Sequence, residues 1–541
     1  MKVVIIGAVA AGTKTAAKLK RELGDECEVT LLEKHPYISY SGCGLPYYVG
    51  GEVDNIEKLY TNTPDEYKKV TDVDLRCQME ATEIDREKKI VYARHTETGE
   101  TMTFSYDKLV IAVGASAVRP PVEGNELSGV FVLRTPEDAE TLRQFLQQRI
   151  KRAIIVGGGL IGLEMADELK KQGIRPVILE QTSHILPGFD PDFAEHAENL
   201  LMEEGIPVFT QEKLLAIEGE TKVEAVKTEN RHIKADAVIF SVGVRPNTEF
   251  LSESGLIMTS NGAVVTDSQM KTNDPDIFAV GDCATVHNRQ TGERIWAPLG
   301  SIANLTGRIC AEVIAGHSVE YPGTLGTAIV KFSGGSAAKT GMTVTQAERL
   351  GRKVIHATIS IDDKVNFYPG AAVFTIRLVA DSDTHQLLGV QVMGKNAVDK
   401  IVDMGVALIA RKAQLEEIQN MDFAYAPPFS LAIHPLVHAT NVLLNKADGK
   451  LVGVDMDGFR RLPEQTVYLD VMKTANIDGY RSVPVKTIHG VLEGIDKEQP
   501  IALVCEKGKQ GYLAQNKLQR YGYNHTVVLE GGTKFNDIET K

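Results

Sequence analysis

The stretch AIIVGGGLIGLEMADELKKQGIRPVILE, residues 153–180, decides the fold. An apolar run leads into Gly157, Gly159 and Gly162, a helical stretch follows, and a second apolar strand ends in Glu180. Glycines so placed permit a tight turn, close approach of a pyrophosphate and close helix–strand packing, while the terminal carboxylate meets a ribose hydroxyl. The stretch reads as a dinucleotide-binding βαβ unit. Residues 1–33 repeat it: strand 3–6, Gly7 and Gly12, a helix over 13–23, and strand 29–32 ending in Glu33, with Val9 at the middle glycine position. Two such units predict two dinucleotides. YDKLVIAVGA (106–115) and IFAVGDCA (277–284) are further strands running into glycine, and the second presents Asp282.

Length and composition set the outer bounds. A chain of 541 residues has room for about three to five domains. Its 43% hydrophobic and 24% charged residues are those of a soluble globular protein. The net charge of −13 argues against a nucleic-acid partner. Cys27, Cys43, Cys77, Cys283, Cys310 and Cys505 form no C-x-x-C pair and no zinc spacing, so neither a metal site nor a disulfide scaffold is expected. MKVVIIGAVAAG has the outline of a short signal peptide, but its glycines assign it to the first turn. No stretch approaches the ~18 apolar residues of a membrane span. The expectation is a cytoplasmic protein with no membrane partner.

HPYISYSGCGLPYYVGG (35–51) sets Cys43 between Gly42 and Gly44, shortly after Glu33. The thiolate is the reactive form, so nearby positive charge or a helix N-terminus is expected to lower its pKa. With no second cysteine near it in sequence, a single-cysteine mechanism is implied.

Two dinucleotide units, with the strand-to-glycine segments between and after them, resemble a flavin disulfide reductase, in which the second nucleotide domain is inserted into the first. The resemblance implies an α/β chain: a split FAD domain (1–112 and 245–325), an NAD(P)H domain (113–244) and an α+β dimerisation domain (326–446). Both nucleotide domains would be Rossmann-like. Beyond Gly7, Gly12, Glu33, Gly157, Gly159, Gly162, Glu180 and Asp282, it adds Ala10, Lys34, Ala112, Gly114 and Gly243 to the cofactor contacts. The string S-x-x-x-C-G-L-P-Y-Y, Ser39 to Tyr48, resembles the coenzyme A-disulfide reductase branch, which also holds NADH oxidases, peroxidases and CoA-dependent polysulfide reductases.

In that branch Cys43 cycles as a mixed disulfide with CoA, a persulfide or a sulfenic acid. Lys14, Lys18 and Arg21 stand at i, i+4 and i+7 on one helical face, which is a solvated face or a cradle for CoA phosphates. Ser39 and Asn304 match substrate-contacting positions, whereas Gly42, Thr71 and Ile433 depart from relatives that carry Asn or Lys there. Tyr368 (NFYPG) and Tyr425 (FAYAPPFS) match tyrosines supplied across a homodimer to protonate the leaving thiolate, and otherwise read as packed aromatics. His434-Pro435 resembles the acid–base His-Pro of glutathione-reductase-type enzymes. Glu180 favours NADH, while His184 keeps NADPH open.

KADGKLVGVDMDG reads as a linker over 447–462. Beyond it, the strand IALVC ending at Cys505, then GKQGYLAQNKLQRYG as a helix, suggest a small α/β rhodanese-like domain over 463–541. Gln510 stands at the usual Arg position, and Lys507 and Lys509 are candidate compensating charges. The reading is an FAD-dependent NADH oxidoreductase acting on small-molecule sulfur substrates (CoA disulfide, CoA persulfide or polysulfide), with sulfur relay to Cys505. An NADH oxidase or peroxidase, and a flavin redox sensor, are the alternatives.

Overall fold

In the computed structural model, which describes residues 1–472 and 477–538, each glycine-rich stretch opens a five-stranded parallel sheet. The first runs in the order Ile277–Ala279, Lys108–Ile111, Lys2–Ile6, Glu28–Leu32 and Asp74–Arg76. Its central strands are apolar on both faces because helices and loops cover both. The second runs Val208–Phe209, Arg175–Leu179, Arg152–Val156, Ala237–Phe240 and Val130–Val132. Helices Ala11–Leu23 and Leu160–Lys171 make the first crossovers.

The glycines are required by contact. A Cβ on Gly12 would lie 1.8 Å from the Gly7 carbonyl oxygen, and one on Gly162 would lie 2.1 Å from that of Gly157. Gly7 and Gly157 also have positive φ, +102° and +110°, the region that favours glycine.

The described chain falls into two compact units, 1–181 with 209–324, and 182–208 with 325 onward. The second contains an antiparallel sheet in the order Ala328–Phe332, Gly335–Gly341, Leu387–Gly394, Val373–Asp381 and Val354–Asp362. Helices Val398–Ala410 and Pro435–Ala447 complete its core. A second sheet of this unit is parallel: Gly453–Val454, Thr526–Leu529, Ile501–Val504, Val467–Asp470 and Arg481–Ser482. Residues 447–462, expected to be a linker, enter this sheet. Gly453 and Val454 pair with Val528 and Leu529, and Asp455 caps helix Met456–Arg460 by accepting the Gly458 N–H at 2.8 Å. The Gly and Asp that suggested a tether serve as an edge strand and a helix cap.

The parallel sheet is docked on the antiparallel one by polar contacts. Buried Glu530 accepts the Thr358 N–H at 2.9 Å and the Lys446 ammonium at 2.5 Å. Thr358 lies on the edge strand Val354–Asp362, so the carboxylate uses a donor the sheet leaves unpaired. Phe535 adds an aromatic contact to Phe193, centroids 4.9 Å apart. Among the described residues no helix is long and apolar enough to cross a membrane, and no group of three His, Cys, Asp or Glu could hold a metal.

Beside this junction Arg377, only 3% exposed, is bound by Asp190 at 3.1 Å and by Asp192. Burial alone would raise the Asp190 carboxyl, but the Arg377 charge, the Thr345 donors and Gln391 outweigh it and hold it below its ordinary range. Arg377→Met leaves the buried Asp190 and the half-buried Asp192 without their cation and is expected to cost about 3–5 kcal/mol in chemical denaturation; a loss under about 0.5 kcal/mol would show the cluster to be solvated.

Candidate active site

Cys43 sits in a 3-10 turn, Gly42–Gly44, directly before helix Leu45–Gly50, and is exposed. Gly44 owes its lack of a side chain to packing, since a Cβ would lie 2.5 Å from Leu59, whereas Gly42 meets only the Tyr40 ring at 3.8 Å. The thiol was expected to be acidic. It is instead raised, by desolvation on its protein side, by the Glu164 carboxylate and, less, by Asp282; Arg134 is the opposing charge. Arg134 donates to the Ala115 carbonyl at 2.9 Å and to Asp282 Oδ2 at 2.6 Å.

Sequence reasoning missed Arg134, Tyr47 and Glu164. The Tyr47 hydroxyl donates to Glu164 at 3.2 Å. Glu164 is pushed up to about 7 by burial, which outweighs the Tyr47 hydrogen bond. A carboxylate two residues past Gly162, within the otherwise apolar LIGLEMA, was the available signal. Arg134 carried none.

The candidate CoA residues lie around one seam. Helix Ala11–Leu23 crosses helix Gly300–Ile314 where Thr15 donates to the Gly307 carbonyl at 3.1 Å and a Cβ on Gly307 would lie 2.6 Å from the Ala11 oxygen. Lys18 is paired with Glu22 at 2.5 Å and Glu312 at 3.4 Å, and the Glu22 bond raises its pKa. Lys14 is half-buried, Arg21 is exposed, and Asn304 is exposed with its amide on the Gly300 carbonyl at 2.9 Å. Ser39, at φ +47°, donates its N–H to Ala8 in the first glycine loop at 3.0 Å.

Tyr368, Tyr425 and Cys505 belong to the other unit. Tyr368 and Tyr425 are exposed together with Phe367, Phe429 and Ile433. Asn396 donates to the Gly370 carbonyl at 3.0 Å and Lys400 to that of Phe429 at 3.4 Å, so the start of one helix ties both segments. His434 is a helix cap: its Nδ1 accepts the Leu436 N–H at 3.2 Å and its ring lies 4.7 Å from that of Phe423. Burial pushes it down to about 4, so it is neutral at physiological pH. Cys505 is buried, and its Sγ accepts the N–H groups of Gly508 at 3.1 Å and Gly511 at 3.3 Å. Burial raises this thiol, against those donors.

Residues 1–297 match the family model of pyridine nucleotide-disulphide oxidoreductases, and residues 327–437 match the dimerisation domain of that family. The chain belongs to the pyridine nucleotide-disulphide oxidoreductases. A Pyrococcus abyssi NAD(P)H sulfur oxidoreductase (CoA-dependent) is 35% identical over 82% of this chain and 98% of its own. The structure of an NAD-dependent persulfide reductase from A. fulgidus superposes with a TM-score of 0.93 at 32% identity, covering 99% of this chain and all of that one. Reduced Bacillus anthracis CoADR-RHD gives a TM-score of 0.93 at 28% identity, over 99% and 97% of the two chains.

An oxidoreductase of this family uses FAD and NAD(P)H, and the residues present fit both. In the first glycine loop, buried Glu33 accepts the N–H groups of Ala8 at 2.7 Å and His35 at 3.0 Å, which fixes its carboxylate beside the loop. Ala10 stands at the N-terminal boundary of the helix, Lys34 is exposed, and the Ala112 oxygen abuts Gly7. Asp282 Oδ1 is buried with no hydrogen-bond partner among the described residues, an acceptor suited to a ribityl hydroxyl. In the second loop Glu180 accepts the Gly158 N–H at 2.8 Å. At Gly159, Gly114 and Gly243 no atom lies within 4 Å of the place a Cβ would take, so a ligand can approach the backbone there.

Glu164 disfavours the Cys43 thiolate, so Glu164→Gln should lower the thiol pKa and speed alkylation of flavin-free protein at pH 8 by about two- to threefold. Unchanged or slower labelling, read on the Cys43 peptide by mass spectrometry, would contradict this electrostatic assignment.

Proposed function

We propose that the chain is an NADH-dependent reductase of CoA disulfide, CoA persulfide or polysulfide, with Cys43 as its one redox-active thiol. The observation that carries this reading is a pair of thiols of opposite construction. Cys43 is open to solvent in the segment following the first nucleotide loop, while Cys505 is buried within backbone N–H donors.

FAD, when bound, supplies the two-electron link between nicotinamide and sulfur. The Cys43 thiolate attacks a sulfur–sulfur bond, forming a mixed disulfide and releasing a thiolate. Tyr368 and Tyr425 donate protons to that leaving group. Their exposure, within a set of exposed aromatics on a dimerisation domain, supports a homodimer in which each subunit lends them to its partner. Lys14, Lys18, Arg21 and Asn304 on the two crossing helices, with Ser39 beside the first glycine loop, bind CoA. Glu180 repels a 2′-phosphate and favours NADH over NADPH.

The final sheet acts as a rhodanese-like module. Strand Ile501–Val504, the Cys505 loop and helix Lys509–Arg520 form a nest for an anionic sulfur, as persulfide relay requires.

Anaerobic NADH oxidation by FAD-loaded protein should depend on the sulfur substrate and exceed the air-only rate; turnover confined to air would make the chain an oxidase. Cys43→Ser should lose sulfur reduction by at least about a thousandfold while keeping hydride transfer to the flavin. Cys505→Ser should impair polysulfide use more than CoA-disulfide use, and equal rates with both would reduce the module to scaffolding.

A further inference from the structure

Lys507 lies two residues beyond Cys505, where its charge was expected to serve a persulfide. Its ammonium instead meets both carboxylate oxygens of Asp362, at 2.8 and 2.9 Å, with the side chains 26% and 28% exposed. On its other side the Cys505 loop is fixed by backbone. Thr533 donates to the Cys505 carbonyl at 3.0 Å, Lys534 to that of Glu506 at 3.0 Å, and a Cβ on Gly532 would lie 2.3 Å from the Cys505 oxygen.

Asp362 is the last residue of strand Val354–Asp362, whose Thr358 is already held by Glu530. Beyond it lies the segment carrying Tyr368. Asp363 and Ala372 close that segment with bonds of 2.9 and 2.8 Å, and Asn396 donates to Asp363 at 3.1 Å. Lys364 pairs with Asp363 at 3.7 Å and stands 5.9 Å from the centre of the Tyr368 ring. Lys507 therefore holds the end of strand Val354–Asp362, and the peptide bond from Asp362 to Asp363 carries that hold into the segment of Tyr368.

We propose that Lys507 is a positioning residue which, through Asp362, makes the Cys505 loop and the Tyr368 segment move as one body. The idea rests on the roles given to Cys505 and Tyr368 above. Of the two lysines expected to serve the persulfide, Lys507 is engaged by Asp362.

The test uses full-length, FAD-loaded enzyme and two readouts: hydrogen exchange of peptides 363–372 and 505–511, and the pH profile of Cys505 alkylation. Lys507→Met and Asp362→Asn should each speed exchange in both peptides by about two- to fivefold, the worth of an ion pair of this exposure. They should move alkylation oppositely: Asp362→Asn frees the ammonium of Lys507, two residues along the chain from the thiol, and accelerates it, and Lys507→Met slows it. The exchanged pair, Lys507→Asp with Asp362→Lys, should restore slow exchange. Exchange over 363–372 unchanged in Lys507→Met overturns the proposal, as does failure of the exchanged pair to restore it. Full polysulfide turnover by Cys505→Ser would remove the sulfur-relay reading while leaving the exchange coupling measurable, so the two failures are distinguishable.

Discussion

Four absent methyl groups set the geometry from which the rest follows. At Gly7, Gly12, Gly157 and Gly162 an added Cβ would fall between 1.8 and 2.5 Å from a carbonyl oxygen, so strand end, turn and helix start touch backbone to backbone. That contact brings the unpaired N–H groups of each helix start to the edge of a sheet, where a pyrophosphate is stabilised by directed donors and the helix dipole. Glu33 and Glu180 bond to the same loops, so their carboxylates are placed by the same contact. A third backbone approach, Gly307 on Ala11, settles the neighbouring helix and with it the seam of Lys14, Lys18 and Asn304.

What was legible in the sequence was what lies close along the chain. Glycine spacing, the acidic strand ends and Cys43 between two glycines are local patterns; the two dinucleotide-binding units were read from them, and the dimerisation domain from the family resemblance they carry. What was illegible is made by residues that meet only after folding. Arg134 reaches Asp282 across 148 residues and Tyr47 reaches Glu164 across 117, separations at which spacing carries no information. Lys507 is the clearest case, because its neighbour Cys505 suggested one use and Asp362, 145 residues away, supplies another. His434 shows the converse: a dipeptide that suggested acid–base work has its ring nitrogen occupied by a helix N–H.

The two thiols differ in their surroundings. Cys43 has carboxylates and one arginine around it, so its ionisation responds to charge. Cys505 has amides, which accept an anion of any protonation history but barely discriminate among its tails. A thiol of the first kind suits a site that switches with the redox state of its neighbours, and one of the second suits a carrier.

The Glu530 contact on the edge strand also has a temporal side. During synthesis, strand Val354–Asp362 leaves the ribosome about 170 residues before Glu530 does. Throughout that interval its outer donors have only water to meet, and the nascent sheet presents an open β-edge of the kind that templates pairing with other chains. The segment that carries Glu530 is thus the seal on a sheet made much earlier, and that edge is covered only once Glu530 has emerged.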